Sequence, residues 1–204
     1  MNNTIRLQSG LYEWMRQGQF TPIEEHGFLT PASYSDPDQI ARMRWVREQL
    51  KGSVLDVGTG IGELLREYSG DAVGIDMYRR HIVHAQLTAR PNHRFYCIDI
   101  VFGLPFNDKQ FETIVMAEVL EHMRFSDAVF VLRDAIRCCS SRIILTFPNM
   151  HDGDYNIGDV ESGEHRWSTA MPMFERLIAS VSISRTQYVE LCNRRFMGIV
   201  LCLA

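Results

Sequence analysis

The sequence predicts an α/β fold: a doubly wound, mostly parallel seven-stranded sheet with an antiparallel edge strand and helices on both faces. Three observations carry this expectation. Apolar runs of five to eight residues alternate with helix-like stretches between residues 53 and 148, the pattern of successive βαβ units. A glycine cluster, DVGTGIG (56–62), closes the first of those runs. Two apolar runs near the end of the chain are joined only by NRR (193–195), a connection too short for a crossover and suited to an antiparallel pair.

Residues 1–35 are irregular and aromatic-rich, with Tyr12, Trp14, Phe20, Phe28 and Tyr34, and a short helix over 4–17 is expected. In SDPDQIARMRWVREQLKG (35–52), Asp36 suits an N-cap, Pro37 the first helical position and Gln39 the far side of a capping box. Ile40, Met43, Val46 and Leu50 then form the apolar face, Trp45 is read as core, and Gly52 ends the helix. Strands follow at SVLDV (53–57), DAVGID (71–76), HRFYCID (93–99), FETIVMAE (111–118) and RIILTFP (142–148). Helices are expected over 61–68, over 79–89 and from the fourth strand to about residue 138. Residues 149–166 form a polar loop. Ser168 or Thr169 caps a last crossover helix with Pro172 in its first turn, and SISRTQYVELC and FMGIVLCLA close the sheet.

At 204 residues the chain suits one domain. Its expected divisions are an N-terminal helical cap (1–50), a cofactor-binding core (51–148), a loop or lid (149–170), and a closing helix with edge strands (171–204). The net charge of −4 argues against duplex nucleic acid and anionic membranes as partners. No apolar run approaches the ~18 residues of a membrane span. The first residues, MNNTIRLQSG, lack the apolar core of a signal peptide, so a cytoplasmic location is expected. Cys97, Cys138, Cys139, Cys192 and Cys202 include no C-x-x-C pair and are read as buried reduced thiols. The sequence carries no signal for oligomeric state.

The glycine loop narrows the ligand. A dinucleotide-binding loop reads G-x-G-x-x-G and aims a helix N-terminus at a pyrophosphate. Here Gly58, Gly60 and Gly62 are followed by Glu63 where the third glycine of that fingerprint belongs, and Asp56 precedes the first glycine. Carboxylates at both ends of the turn repel a pyrophosphate. They suit a cofactor with cationic groups and no phosphate, and S-adenosylmethionine, with a sulfonium and an ammonium, is one. Asp76 ends the second strand, where a carboxylate takes both hydroxyls of a ribose, and Asp99 ends the third, within reach of an adenine amino group. Ala117 and Glu118 end the fourth strand, under the methionine part.

In these residues the chain resembles the S-adenosylmethionine-dependent methyltransferases of the seven-stranded Rossmann-like type. The motifs that carry the resemblance are DVGTGIG (56–62), GID (74–76), CID (97–99), LPFNDKQFETIVMAEVLEHM (104–123) and TFPN (146–149). It covers residues 53–149 well and the rest weakly. One departure is RCCSSRI (137–143), where many relatives have a Lys-Pro-Gly-Gly turn. The resemblance implies a cofactor pocket lined by Asp56, Gly58, Gly60, Asp76, Asp99 and Ala117, with Thr59, Gly62, Met77 and Ile100 beside them.

EVLEHM adds Glu118, Glu121 and His122. On a helix these positions share a face, and with His165 from the later loop they form an expected set of ligands for Mg2+ or Mn2+. The layout looks like that of metal-dependent O-methyltransferases acting on RNA 3′ ends or on quinone precursors. The same tripeptide style recurs in related methyltransferases without a metal. For catalysis, His165 and Glu118 are the residues singled out as base or substrate contact, with Tyr34, Tyr155 and Trp167 as further contacts. Arg79, Arg80 and His81 read as a solvated helix start. The expected function is methyl transfer from S-adenosylmethionine to a hydroxyl or other heteroatom of a small-molecule acceptor. The alternatives are the metal-dependent O-methyltransferase and a non-catalytic S-adenosylmethionine-binding partner protein.

Overall fold

A computed structural model of the chain describes residues 31–148, 171–181, 183–192 and 195–203. The expected helix over 4–17, the loop with Tyr155, His165 and Trp167, and the capping Ser168 or Thr169 lie outside the described residues. Seven strands form one sheet in the order β3-β2-β1-β4-β5-β7-β6. They are β1 (Val54–Val57), β2 (Ala72–Asp76), β3 (His93–Cys97), β4 (Phe111–Ala117), β5 (Cys139–Pro148), β6 (Arg185–Leu191) and β7 (Phe196–Cys202). β1, β2, β3, β4 and β5 pair in parallel. β7 runs antiparallel to both β5 and β6. The antiparallel pair thus closes the sheet as its short connection requires, with β7 the reversed strand and β6 outermost.

Four α-helices are described: α1 (Pro37–Gln49), α2 (Arg79–Leu87), α3 (Phe125–Cys138) and α4 (Met171–Ala179). They cover both faces of the sheet. On one face Met43, Val46 and Leu50 from α1 with its C-cap, and Ile82 and Ala85 of α2, pack on Val54, Ala72, Val115 and Ile144. On the other, Ala128, Val131, Leu132 and Ala135 of α3 and Leu177 of α4 pack on Leu55, Val73, Ile114 and Leu145. Burial on both faces explains why these strands read as near-continuous apolar runs.

Three local expectations need correction. The first concerns α1, whose inward face is turned from the expected one. Ile40 is 40% exposed, whereas Arg42 is 6% exposed beside Met43 and Val46. The Asp36 carboxylate does accept the Asp38 N–H at 2.8 Å. Gln39 turns inward to accept from Arg42 Nε at 3.1 Å and does not complete a capping box. The second concerns 61–68, which is a series of turns and no α-helix. The Glu63 and Leu64 carbonyls that would accept from the next helical turn accept instead from Arg47, at 2.7 and 3.1 Å. The third concerns the thiols. All five cysteines are free, but only Cys138 and Cys139 are buried; Cys97 is exposed. β5 begins at Cys139, directly after α3, so RCCSSRI is the helix end and strand start with no turn between them.

The β6–β7 hairpin holds α1 over the sheet. Arg195 donates to Asp36 and Asp38 at 2.8 and 2.9 Å, and a side chain at Gly198 would strike the Trp45 ring. α1 can therefore carry Arg42 to the carboxyl edge of the strands, where β1 separates β2 from β4 and the strand order reverses. Open α/β sheets bind ligands at such a switch point.

Candidate active site

The loop after β1 is pinned from both sides. The Gly58 and Thr59 amides donate to the Ile75 carbonyl at 2.8 and 2.9 Å, and the Gly62 amide returns to the Thr59 carbonyl at 3.0 Å. Gly58 and Gly62 have φ of +71° and +78°, a region that favours glycine. A Cβ at Gly58 would lie 2.5 Å from Val119 Cγ2, and one at Gly62 would lie 3.1 Å from the Ala85 Cβ. These two glycines therefore serve close packing within the protein.

Asp76 organises the loop. Its Oδ2 accepts the Gly60 N–H at 2.9 Å and its Oδ1 accepts the Tyr78 N–H at 2.8 Å, ahead of α2. The His81 ring, which is buried and not part of a solvated helix start, lies 3.3 Å from the same Oδ1. A carboxylate offers about four lone-pair sites, so Oδ2 keeps one acceptor site beyond these partners. Asp99 accepts the Val101 N–H at 3.1 Å and is raised by burial above the usual carboxylate range. Ile100 follows it, partly buried against the core. The Met77 carbonyl accepts from Cys97 Sγ at 3.3 Å.

Asp56 is 3% exposed and accepts the Thr59 hydroxyl at 2.7 Å. Burial pushes its carboxyl up to about 7; the Thr59 bond opposes this, Asp76 adds to it, and Arg42 opposes it. The fold therefore holds this proton more tightly than the unfolded chain does. That stability is fully present below the unfolded value, about 4, and is lost as pH rises through the folded value. Asp56→Asn is expected to flatten the stability profile and to gain about 1–3 kcal/mol at about pH 8. Urea unfolding of both proteins across that range tests this, and parallel profiles would exclude it. Tyr34 stands over the same carboxylates: burial, then Asp56, with Asp76 and Glu63, drives its hydroxyl up, opposed by Arg42.

At the end of β4 the backbone breaks out of the strand. Glu118 has φ +56°, a left-handed conformation that costs a non-glycine residue on the order of 1–3 kcal/mol. Its amide donates to the Thr146 carbonyl at 3.0 Å, and its Oε1 accepts the Thr146 hydroxyl at 2.9 Å. Arg42 Nη1 donates to the same hydroxyl oxygen at 3.0 Å and lies 3.9 Å from Glu118 Oε1. The Arg42 guanidinium also covers the Phe196 ring at 5.2 Å. Burial raises Glu118, with Arg42 and Thr146 opposing. Burial, reinforced by Glu118, raises Glu121 well above the usual range.

This geometry overturns the premise of a shared helical face for Glu118, Glu121 and His122. The segment after Glu118 is a 3-10 turn over Leu120–His122, which buries Glu121 completely and leaves His122 exposed. Glu118 is taken up by Thr146 beside a guanidinium. Among the described residues no three His, Cys, Asp or Glu side chains gather as a metal site. The described members of the set do not fit Mg2+ or Mn2+; the fourth expected ligand, His165, lies outside the described residues. Arg42 is the site residue that no sequence motif held, and Thr146 stood in the TFPN motif with no role assigned to it.

The fold is that of the doubly wound α/β class, with its carboxylates gathered at the strand edge where such sheets bind ligands. Residues 54–142 match the profile of a family described as a methyltransferase domain. No curated protein matches the chain in sequence. Solved structures with the same fold include a SAM-dependent methyltransferase from Aquifex aeolicus, with TM-score 0.67 and 18% identity, over 85% of this chain and 96% of that one. A magnesium protoporphyrin IX methyltransferase from Synechocystis with bound SAH has TM-score 0.62 and 17% identity, over 96% and 95%. The cyclase SpnF has TM-score 0.66 and 15% identity, over 96% and 92%. Residues 54–142 are thus similar to a methyltransferase domain, and the chain as a whole shares the seven-stranded Rossmann-like fold of these solved structures.

Proposed function

We propose that the protein transfers the methyl group of S-adenosylmethionine to a hydroxyl or other heteroatom of a small molecule. The observation that carries this is the row of carboxylates at the carboxyl edge: Asp56, Asp76 and Asp99 at the ends of β1, β2 and β3, and Glu118 at the end of β4. That row offers acceptors to ribose hydroxyls, an adenine amino group and the cationic methionine end, and it offers no cation to a pyrophosphate. We take Asp76 Oδ2 as the ribose acceptor, Asp99 and Ile100 as the adenine side, and Thr59, Gly60, Met77 and Ala117 as the lining between. We take residues 51–148 as the cofactor-binding core of a single domain.

When bound, the cofactor supplies an electrophilic methyl on a sulfonium, a leaving group that needs no acid. The chain's part is alignment and the removal of one proton from the acceptor. Glu118 is the group suited to that proton. Its strained backbone points it out of β4, and the Thr146 hydroxyl fixes Oε1. Burial raises its carboxyl, which strengthens it as a proton acceptor, and Arg42 at 3.9 Å restrains that rise.

The acceptor chemistry is open to direct test. Incubating the protein with S-adenosylmethionine and panels of hydroxyl, amine and thiol compounds is expected to yield S-adenosylhomocysteine and a product heavier by one methyl group. Titration calorimetry showing no cofactor binding would overturn the reading. The cyclase relative makes the assay necessary, because the fold alone does not fix the reaction. Glu118→Gln is expected to lower kcat about 100-fold or more at saturating cofactor. The loss should shrink at high pH, where the acceptor ionises without help. An unchanged kcat would remove Glu118 from the base role.

A further inference from the structure

Glu121 is fully buried, and neither carboxylate oxygen has a hydrogen-bond partner among the described residues. It has Glu118 for a neighbour, and its own amide and that of Val119 lie near enough to favour the charged form only weakly. The guanidinium acting on both glutamates is Arg42; Arg195, half exposed, reaches Glu118 alone. Arg42 also opposes the buried Asp56, which Asp76 crowds from the other side. Four carboxyl groups thus share this edge with one buried guanidinium among the described residues, itself engaged by Gln39 and Thr146. Without a counter-charge the ionised form is costly here, so the free protein holds Glu121 toward its protonated form, and a ligand that brings a cation favours its ionisation.

The geometry points to Glu121 as the residue that reads the charge of the cofactor: its buried, unpartnered carboxyl favours the cationic sulfonium over the neutral thioether left after transfer. This rests on S-adenosylmethionine being the cofactor and goes beyond it, because the backbone loop and the ribose acceptor treat the two forms alike. Preference for the charged form helps product leave, since the attraction disappears with the transferred methyl. The effect needs proximity and a low dielectric; it needs no contact.

The test is the ratio of affinities for S-adenosylmethionine and S-adenosylhomocysteine, by titration calorimetry on wild type and Glu121→Gln. The ratio is expected to shift about tenfold toward the thioether in the variant, mainly through weaker binding of the sulfonium form. A structural role would weaken both ligands together. An equal loss for both, or no change in either, overturns the inference. Glu121→Met, uncharged and of similar length, gives the same ratio test if the glutamine variant fails to fold. Failure of wild type to bind either ligand is a different result and overturns the cofactor reading itself.

Discussion

Asp76→Ala is expected to cost about 2–4 kcal/mol of cofactor binding, roughly a 30- to 900-fold rise in Kd for S-adenosylhomocysteine. Two losses combine. One is the proposed bond from a ribose hydroxyl to the free acceptor site on Oδ2. The other is the shape of the loop, because the same carboxylate holds the Gly60 N–H at 2.9 Å and the Tyr78 N–H at 2.8 Å. Without it two amides at the entry of the loop and of α2 lose their acceptor. The carboxylate also complements the positive end of α2. Asp76→Asn separates these losses. It keeps the volume and one acceptor, but its amide nitrogen must face either a backbone N–H or the ribose. The asparagine variant is expected to fall between wild type and alanine in both affinity and melting midpoint. Calorimetry and thermal unfolding on the three proteins check this. Unchanged affinity in Asp76→Ala would remove Asp76 from the ribose role.

The strand-end carboxylates were legible because each closes an apolar run, and in a parallel sheet the end of a run is the ligand edge. The places of Asp56, Asp76 and Asp99 at or just past the strand ends needed only that rule. What was not legible depended on partners far away in sequence. Residues 61–68 have helical spacing, yet Arg47 on α1 takes the carbonyls a helix would use. Glu118, Glu121 and His122 have metal-ligand spacing on a helix. The left-handed turn at Glu118 separates them, because it lets Glu118 meet Thr146 across the strand. Arg42 gave a faint signal: it is in phase with Gln39, Met43 and Val46, so a polar pair sat on an inward face. Hydrophobicity placed Ile40 there instead, but burying Arg42 satisfies carboxylates that Ile40 cannot.

Arg42→Met carries the largest expected effect on stability. The arginine is 6% exposed and touches Gln39, Thr146 and the Phe196 ring. Methionine replaces much of the volume but none of the charge. Breaking a buried ionic cluster by removing one partner costs about 3–5 kcal/mol, because the remaining charges stay buried. The loss must depend on pH. Arg42 opposes the upward pull on Asp56, Glu118 and Glu121, so without it all three rise further. Carboxyls raised in the fold stabilise it when protonated and weaken it as pH climbs through their folded values. The destabilisation is therefore expected to be small near about pH 5 and full near about pH 8. Combining Arg42→Met with Glu118→Gln should restore part of the loss, since the double variant buries one unmatched charge fewer. Urea unfolding at both pH values measures each term. Equal losses at the two pH values, or additive losses in the double variant, would mean that Arg42 only fills space above β5 and that the carboxylates at this edge are balanced by something else.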